Sequence, residues 1–205
     1  MGEGGRKVKL LPLIAILLIL VPIATCIVAL SSFDKGWAKG DADVREVGWL
    51  EGTFVLCTNA SAASNDGVCP PGQEEETSMR LSDYELEDSW QKGGYAAAGG
   101  SGAALVLSFV FVVLCLVRAF SLGNKKKMSP LAAVIGLLAV IMMGMAVGTW
   151  GAYTHETRQD VDAEIDYAPI LVVVGACFAA IASILVLLSA QRDLILFRLC
   201  AGQDG

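Results

Sequence analysis

Four long stretches of the chain contain no Asp, Glu, Lys, Arg or His. They cover residues 10–30, 95–117, 130–153 and 168–190, and together they hold 91 of the 205 residues. At about 1.5 Å of rise per residue, each stretch is long enough to cross a hydrocarbon core of roughly 30 Å as an α-helix. The pattern predicts a membrane protein with four spans and excludes a soluble enzyme, a nucleic-acid reader or a secreted disulfide scaffold as descriptions of the whole chain.

Charge is divided unequally among the segments outside these spans. Segment 118–129 has four basic residues and no acidic one, whereas 31–94 has 13 acidic and five basic residues and 154–167 has five acidic and one basic. Basic residues are retained on the cytoplasmic side of a membrane. Both termini are therefore predicted to be cytoplasmic. The two acidic segments are predicted to be extracellular loops, with the plasma membrane as the expected location.

The first apolar stretch has an alternative interpretation: it could be a cleaved signal peptide rather than a membrane span, with Ala29 and Ser31 at the cleavage site. The apolar region of a signal peptide is usually about 7–15 residues long. Because this stretch has 21 residues, an uncleaved first span is favoured. The whole chain, 1–205, is then predicted to be a single membrane domain.

The cysteines support the same topology. Cys57 and Cys69 lie in the first outer loop, the oxidising side, where a disulfide between them is expected. Asn59 begins an N-glycosylation sequon in the same loop. Cys200 lies near the membrane in the inner tail and is a candidate for palmitoylation. The remaining three lie inside spans, where small apolar packing is expected: Cys26, Cys115 and Cys177.

The first outer loop has local patterns of its own. Residues 44–50 and 52–58 are rich in β-branched and aromatic side chains and predict two short strands. Residues 59–76 have the composition of a flexible surface segment, and 81–90 favour a helical turn or two leading into the second span.

Small residues at four-residue spacing occur in the last two spans. They are Gly144 and Gly148 in the third span, and Gly175, Ala179 and Ser183 in the fourth. Such residues let helix backbones approach closely, and the Ser183 hydroxyl is a candidate for a hydrogen bond to a neighbouring helix. Two uses remain open at this level: packing within one four-helix bundle, and association between molecules.

The sequence offers little catalytic chemistry. Charged residues, the usual mark of ion or substrate pathways, are missing from the spans. His155, the one histidine, has no second ligand at metal-binding spacing. The acidic residues of the outer loops are candidates for binding calcium or for concentrating cations, although a solvated acidic surface is the simpler interpretation. We therefore expect a non-enzymatic protein with no cofactor, no metal, no nucleic-acid partner and no small-molecule substrate.

One segment resembles a known family. Residues 50–57 read Leu-Glu-Gly-Thr-Phe-Val-Leu-Cys, which is similar to the Gly-Leu-Trp-x-x-Cys signature in the first loop of claudins. Gly52 and Cys57 match the signature, Glu51 precedes it, and Phe54 stands at the position of its tryptophan. Upstream, Trp37 resembles a tryptophan that also belongs to the signature.

The third span adds one more point of similarity, because Trp150 near its outer end resembles an aromatic residue of the same family. The resemblance implies the claudin-like tetraspan superfamily, which also includes peripheral myelin protein and the gamma subunits of voltage-gated calcium channels. The implied fold is an all-α membrane protein, a four-transmembrane-helix bundle, with a small extracellular β-sheet formed by the first outer loop and held by the disulfide.

Three functions remain as hypotheses. The first is an auxiliary or organising subunit that binds a larger channel or transporter complex through its small-residue helix faces and its outer sheet. The second is a claudin-type adhesion or paracellular barrier protein that contacts copies of itself. The third, a channel or transporter in its own right, is disfavoured because charge is missing from the spans. In each case the partners are the lipid bilayer and other membrane proteins.

Overall fold

The computed structural model describes most of the chain. The described residues are 10–40, 44–57, 74–81, 87–120, 128–160 and 162–201; within them, side chains are not described at 44–45, 53–57, 74–79, 87–88, 128, 160 and 192–201.

Four helices dominate the structure: α1 (Leu10–Ser31), α2 (Glu87–Phe120), α3 (Met128–Asp160) and α4 (Tyr167–Ala201). Each contains one of the charge-free stretches, and each is long and apolar enough to cross a membrane. The prediction of four such helices is confirmed. Helices α2, α3 and α4 continue past the predicted spans because their polar flanking residues continue the same helical hydrogen bonding.

The helices form a closed up-and-down bundle. Helix α2 packs against α1 and α3, and α4 packs against the same two helices from the other side. Small residues fill the interior, whereas large apolar side chains such as Leu17, Val106, Leu138 and Ile181 point outward and are exposed. A helix that is apolar on all sides belongs in a core or in a membrane.

A five-stranded antiparallel sheet covers one end of the bundle. Its strands are β1 (Ala38–Lys39), β2 (Val44–Val47), β3 (Glu51–Cys57), β4 (Glu74–Arg80) and β5 (Glu164–Ile165). Their order across the sheet is β4-β3-β2-β1-β5. We call this end of the bundle, where α1 and α3 finish and α2 and α4 begin, the sheet end.

The two strands predicted from the sequence are confirmed as β2 and β3, with a turn at 48–50 between them. Three strands were missed. β4 begins within residues 59–76, which were expected to be flexible, and β5 belongs to the second outer loop, so the sheet is not formed by the first outer loop alone. Pairing with a neighbour creates these strands: β1 and β5 have two residues each, too few to show an alternating pattern.

The chain reaches β5 through a tight end to α3. The Asp162 N–H donates to the Gln159 carbonyl at 3.4 Å, and the Ala163 N–H donates to the Arg158 carbonyl at 2.8 Å. Asp162 has a φ of 51°. These are the two hydrogen bonds and the left-handed residue of a Schellman motif, which turns the chain so that β5 pairs with β1.

Candidate functional site

Two tryptophans join the sheet to the helices. Trp37, just before β1, and Trp150 of α3 are both almost fully buried. Their ring centroids are 5.3 Å apart, with an angle of 57° between the ring planes. The Arg158 guanidinium carbon lies 5.2 Å from the centroid of the Trp150 ring. This three-membered stack combines a tilted aromatic pair with a cation–π contact between Trp150 and Arg158, which lie about two turns apart on α3.

The backbone around Trp37 holds its ring in this position. Gly36 has a φ of 94°, and a Cβ there would lie 2.5 Å from Cζ of Tyr167. Only glycine combines this conformation with this contact. The next residue is then fixed by hydrogen bonds on both sides: the Trp37 N–H donates to the Val47 carbonyl at 2.9 Å, and the Trp37 carbonyl accepts from the Asp166 N–H at 3.2 Å.

Trp49, in the turn between β2 and β3, provides a second attachment. Its indole Nε1–H donates to the Leu30 carbonyl at 2.8 Å, satisfying one of the carbonyls left free at the end of α1. On the other side, a Cβ at Gly94 would collide with the Trp49 carbonyl oxygen. The turn is therefore wedged between α1 and α2. Sequence analysis missed Trp49, although a tryptophan beside Gly48 in a turn was an available signal.

Two polar contacts complete this end of the molecule. The hydroxyls of Ser89 and Thr157 are 3.1 Å apart and join α2 to α3 beyond the charge-free stretches. Arg80 and Glu51 approach to 3.9 Å at the surface of the sheet, an exposed pair of small energetic value.

The predicted signature residues have mixed outcomes. Trp37 and Trp150 are brought together. Gly52 is buried, and its backbone is opposite Val47 in β2 and Met79 in β4. Glu51 and Phe54 lie on β3, in register with Arg80 and Thr77 respectively; the Phe54 side chain is outside the described residues.

The disulfide and modification predictions fall outside the described residues. Only the backbone of Cys57 is described, as the last residue of β3, and Cys69 and Asn59 are not described. Cys200 lies on α4 without a described side chain. Within the described residues Cys26 and Cys115 are buried and free, and Cys177 is exposed and free. In that same part of the chain, no group of three or more His, Cys, Asp or Glu side chains could hold a metal ion.

The small residues of α4 lie inside the bundle. Gly175, Ala179 and Ser183 are buried, and a Cβ at Gly175 would collide with Thr25 Oγ1 and lie 3.2 Å from the Pro22 Cα. Ser183 does not form the expected bond to a neighbouring helix: its hydroxyl donates to the Ala179 carbonyl in its own helix, at 2.7 Å.

Opposite Ser183 is a glycine that sequence analysis missed. A Cβ at Gly136 of α3 would collide with Ser183 Oγ and lie 2.9 Å from the Phe111 ring. Ala132, also buried, lies four positions before Gly136, so the same spacing rule was an available signal for it.

The glycines predicted in α3 lie on the opposite side of that helix. Gly144 and Gly148 are exposed, and a Cβ at either would meet no atom of the described residues within 4 Å. They are therefore not part of the packing within the bundle. We call Gly144 and Gly148 the outward glycine face.

Comparison of the chain with protein-family models and with curated proteins finds no match.

Proposed function

We propose that this chain is a non-enzymatic integral membrane protein of the claudin-like tetraspan type. Four helices with apolar outward faces support membrane insertion. Among the described residues, the acidic Glu51 and Glu164 lie in the sheet, and the basic Arg118 lies in the last turn of α2 at the other end, which supports an extracellular sheet and cytoplasmic termini at the plasma membrane. The contact between Trp37 and Trp150 supports the resemblance, because both residues belong to it.

Within this class, we propose an auxiliary or organising subunit of a larger membrane complex. The observation that carries the proposal is the outward glycine face. Two glycines one turn apart, with no side chain over them, leave the α3 backbone accessible to a helix of another protein. In a bilayer, close backbone approach at such a face is a main source of helix association.

The test is purification of the full-length protein from native membranes in mild detergent. The wild-type chain is compared with a Gly144→Leu/Gly148→Leu double variant and with a matched control, Val134→Leu/Met145→Leu, which changes two exposed apolar residues of α3. We expect a stoichiometric channel, transporter or other membrane protein to co-purify with the wild type and the control. The glycine variant should lose it.

One result would overturn the outward glycine face as the contact, and another would overturn the auxiliary role. Co-purification that survives in the glycine variant would show that this face does not hold the partner. Recovery of copies of this chain alone would favour the alternative function, claudin-type adhesion or barrier formation through the sheet.

The modifications of the first outer loop are also proposals. Cys57 ends β3 and Cys69 belongs to the connection between β3 and β4, which are paired antiparallel, so the two ends of that connection are close. Replacing either cysteine by Ser should expose one new reactive thiol and lower delivery to the cell surface.

Replacing Asn59 by Gln should remove the mass of one glycan. Cys200→Ser should abolish acyl labelling.

A further inference from the structure

Each helix has an exposed aromatic side chain at the sheet end. Phe33 follows the end of α1, Tyr95 lies on α2, Tyr153 lies on α3, and Tyr167 begins α4. Each is between 42% and 56% exposed. Three of the four tyrosines in the chain are in this group. They differ from Trp37 and Trp150, which are buried at the same end of the bundle.

Contacts between neighbouring helices place these four residues at a similar height. The hydroxyls of Ser32 and Tyr167 are 3.4 Å apart, so Phe33 and Tyr167 are level. A Cβ at Gly93 would lie 3.0 Å from Thr154 Cγ2 and 3.4 Å from Trp150 Cδ1. Residue 93 of α2 therefore lies between residues 150 and 154 of α3, and Tyr95 and Tyr153 lie within about one turn of each other.

The belt residues of α3 and α4 also lie at a similar height. Gly136 faces Ser183, and the two helices run in opposite directions. Tyr153 lies 17 positions from Gly136 toward the sheet end, and Tyr167 lies 16 positions from Ser183 in the same direction. The four aromatic residues therefore form a ring around the outside of the bundle, which we call the aromatic belt.

The distance from this belt to the other end of the apolar surface is nearly the same on every helix. The other limits of the four charge-free stretches are Leu10, Val117, Pro130 and Ala190, and they lie 22 or 23 positions from their belt residues. At 1.5 Å per residue this is about 35 Å, slightly more than the hydrocarbon thickness of roughly 30 Å.

We propose that the aromatic belt binds at the boundary between the headgroups and the acyl chains of the outer leaflet. Aromatic rings with a polar tip prefer this depth. Trp150 is one turn deeper than Tyr153, so Trp37 reaches below the belt and the sheet rests directly on the membrane surface. The ends of α2 and α3 beyond the belt, joined by Ser89 and Thr157, then stand above the lipid. This inference rests on the proposed membrane insertion.

The test uses fluorine NMR of the full-length protein, labelled with fluorotyrosine and reconstituted in phosphatidylcholine nanodiscs. Each resonance is assigned by a Tyr→Phe substitution, and Phe33→Tyr brings the fourth belt residue into the same measurement. Relaxation is recorded with nitroxide lipids labelled either near the headgroup or at the acyl-chain end, and with a water-soluble gadolinium chelate. Ile141→Tyr, at an exposed position three turns below Tyr153 on α3, is the depth control.

We expect the nitroxide near the headgroup to relax all four belt positions most strongly, and the chain-end nitroxide to relax the Ile141→Tyr position most strongly. If neither nitroxide lipid relaxes the Ile141→Tyr resonance, membrane insertion itself is wrong. If the chain-end nitroxide relaxes the Ile141→Tyr resonance, the protein is inserted in the bilayer. The aromatic belt is then overturned by either of two results: relaxation of the belt positions mainly by the water-soluble chelate, or relaxation by the chain-end nitroxide as strong as at Ile141→Tyr.

Discussion

The two faces of α3 carry similar residues in opposite surroundings. On the inward face, Gly136 meets Ser183 and Phe111, and Trp150 packs against Trp37. On the outward face, Gly144 and Gly148 meet no other part of the described chain within 4 Å. A glycine in a membrane span can therefore have either of two roles. One lets helices of the same bundle approach, and the other leaves a backbone surface for a different molecule.

The largest expected effect is on the inward face, at Trp150. Trp150→Ala removes the ring between Trp37 and Arg158, and we expect it to lower the free energy of unfolding by about 3–5 kcal/mol. The measurement is reversible unfolding of the full-length protein in mixed micelles. The control is Tyr153→Ala, one turn along α3 and about half exposed, which should change stability by about 0.5 kcal/mol or less. Equal costs for the two variants would contradict the assignment of Trp150 to the buried junction.

The second prediction concerns the close approach of α3 and α4. A methyl group at Gly136 has no room beside Ser183 Oγ and the Phe111 ring, so Gly136→Ala should cost about 1–3 kcal/mol by overpacking. Ser183→Ala removes the colliding oxygen and, because the hydroxyl donates to the Ala179 carbonyl of its own helix, should change stability little alone. The double variant should be more stable than the sum of the two single costs predicts. Simple additivity would show that the two residues do not collide.

The third prediction concerns Gly→Ala substitutions on the outward glycine face. There the substitution should raise the free energy of unfolding, whereas at Gly136 it should lower it. Gly144→Ala and Gly148→Ala place methyl groups in open space and reduce the backbone freedom of the unfolded chain. Each should raise the free energy of unfolding by about 0.5–1 kcal/mol. Unfolding of purified, partner-free protein is the measurement, because a bound partner would add its own contribution. A loss of stability at either position would place it inside a helix contact.

The sequence predicts the helices well and the faces poorly, for one physical reason. A charge-free stretch of more than 20 residues predicts a membrane-spanning helix, because its length matches the thickness of the hydrocarbon core. The same stretch is apolar on every side, so it gives no sign of which side faces inward. The four-residue spacing therefore gives the same prediction for Gly144 and Gly148 as for Gly175 and Ala179. In the structure the first pair is exposed and the second pair is buried. Gly136 has Ala132 at the same four-residue spacing, but the pair was not singled out.

The sheet was partly predictable for a different reason. β2 and β3 have β-branched and aromatic residues of their own, whereas β4, with three glutamates in succession, depends on its seven-residue pairing with β3. β5 depends on the Schellman motif at Asp162, which brings a distant loop to β1. Trp37 and Trp150 were singled out from the resemblance, but Trp49 was missed, and its hydrogen bond to the end of α1 could be found only from the structure.

The last prediction tests how far the inward face extends along α3. Arg158 lies over the Trp150 ring at 5.2 Å, and a cation–π contact at a partly exposed site is worth about 1 kcal/mol. Arg158→Met keeps the packing of the aliphatic stem and removes the charge, so it should cost about that amount in the wild type. In a Trp150→Leu background the cost should fall toward zero, because the aromatic face is gone. An undiminished cost in that background would assign the contribution of Arg158 to a contact other than Trp150, and the stack would end at the two tryptophans.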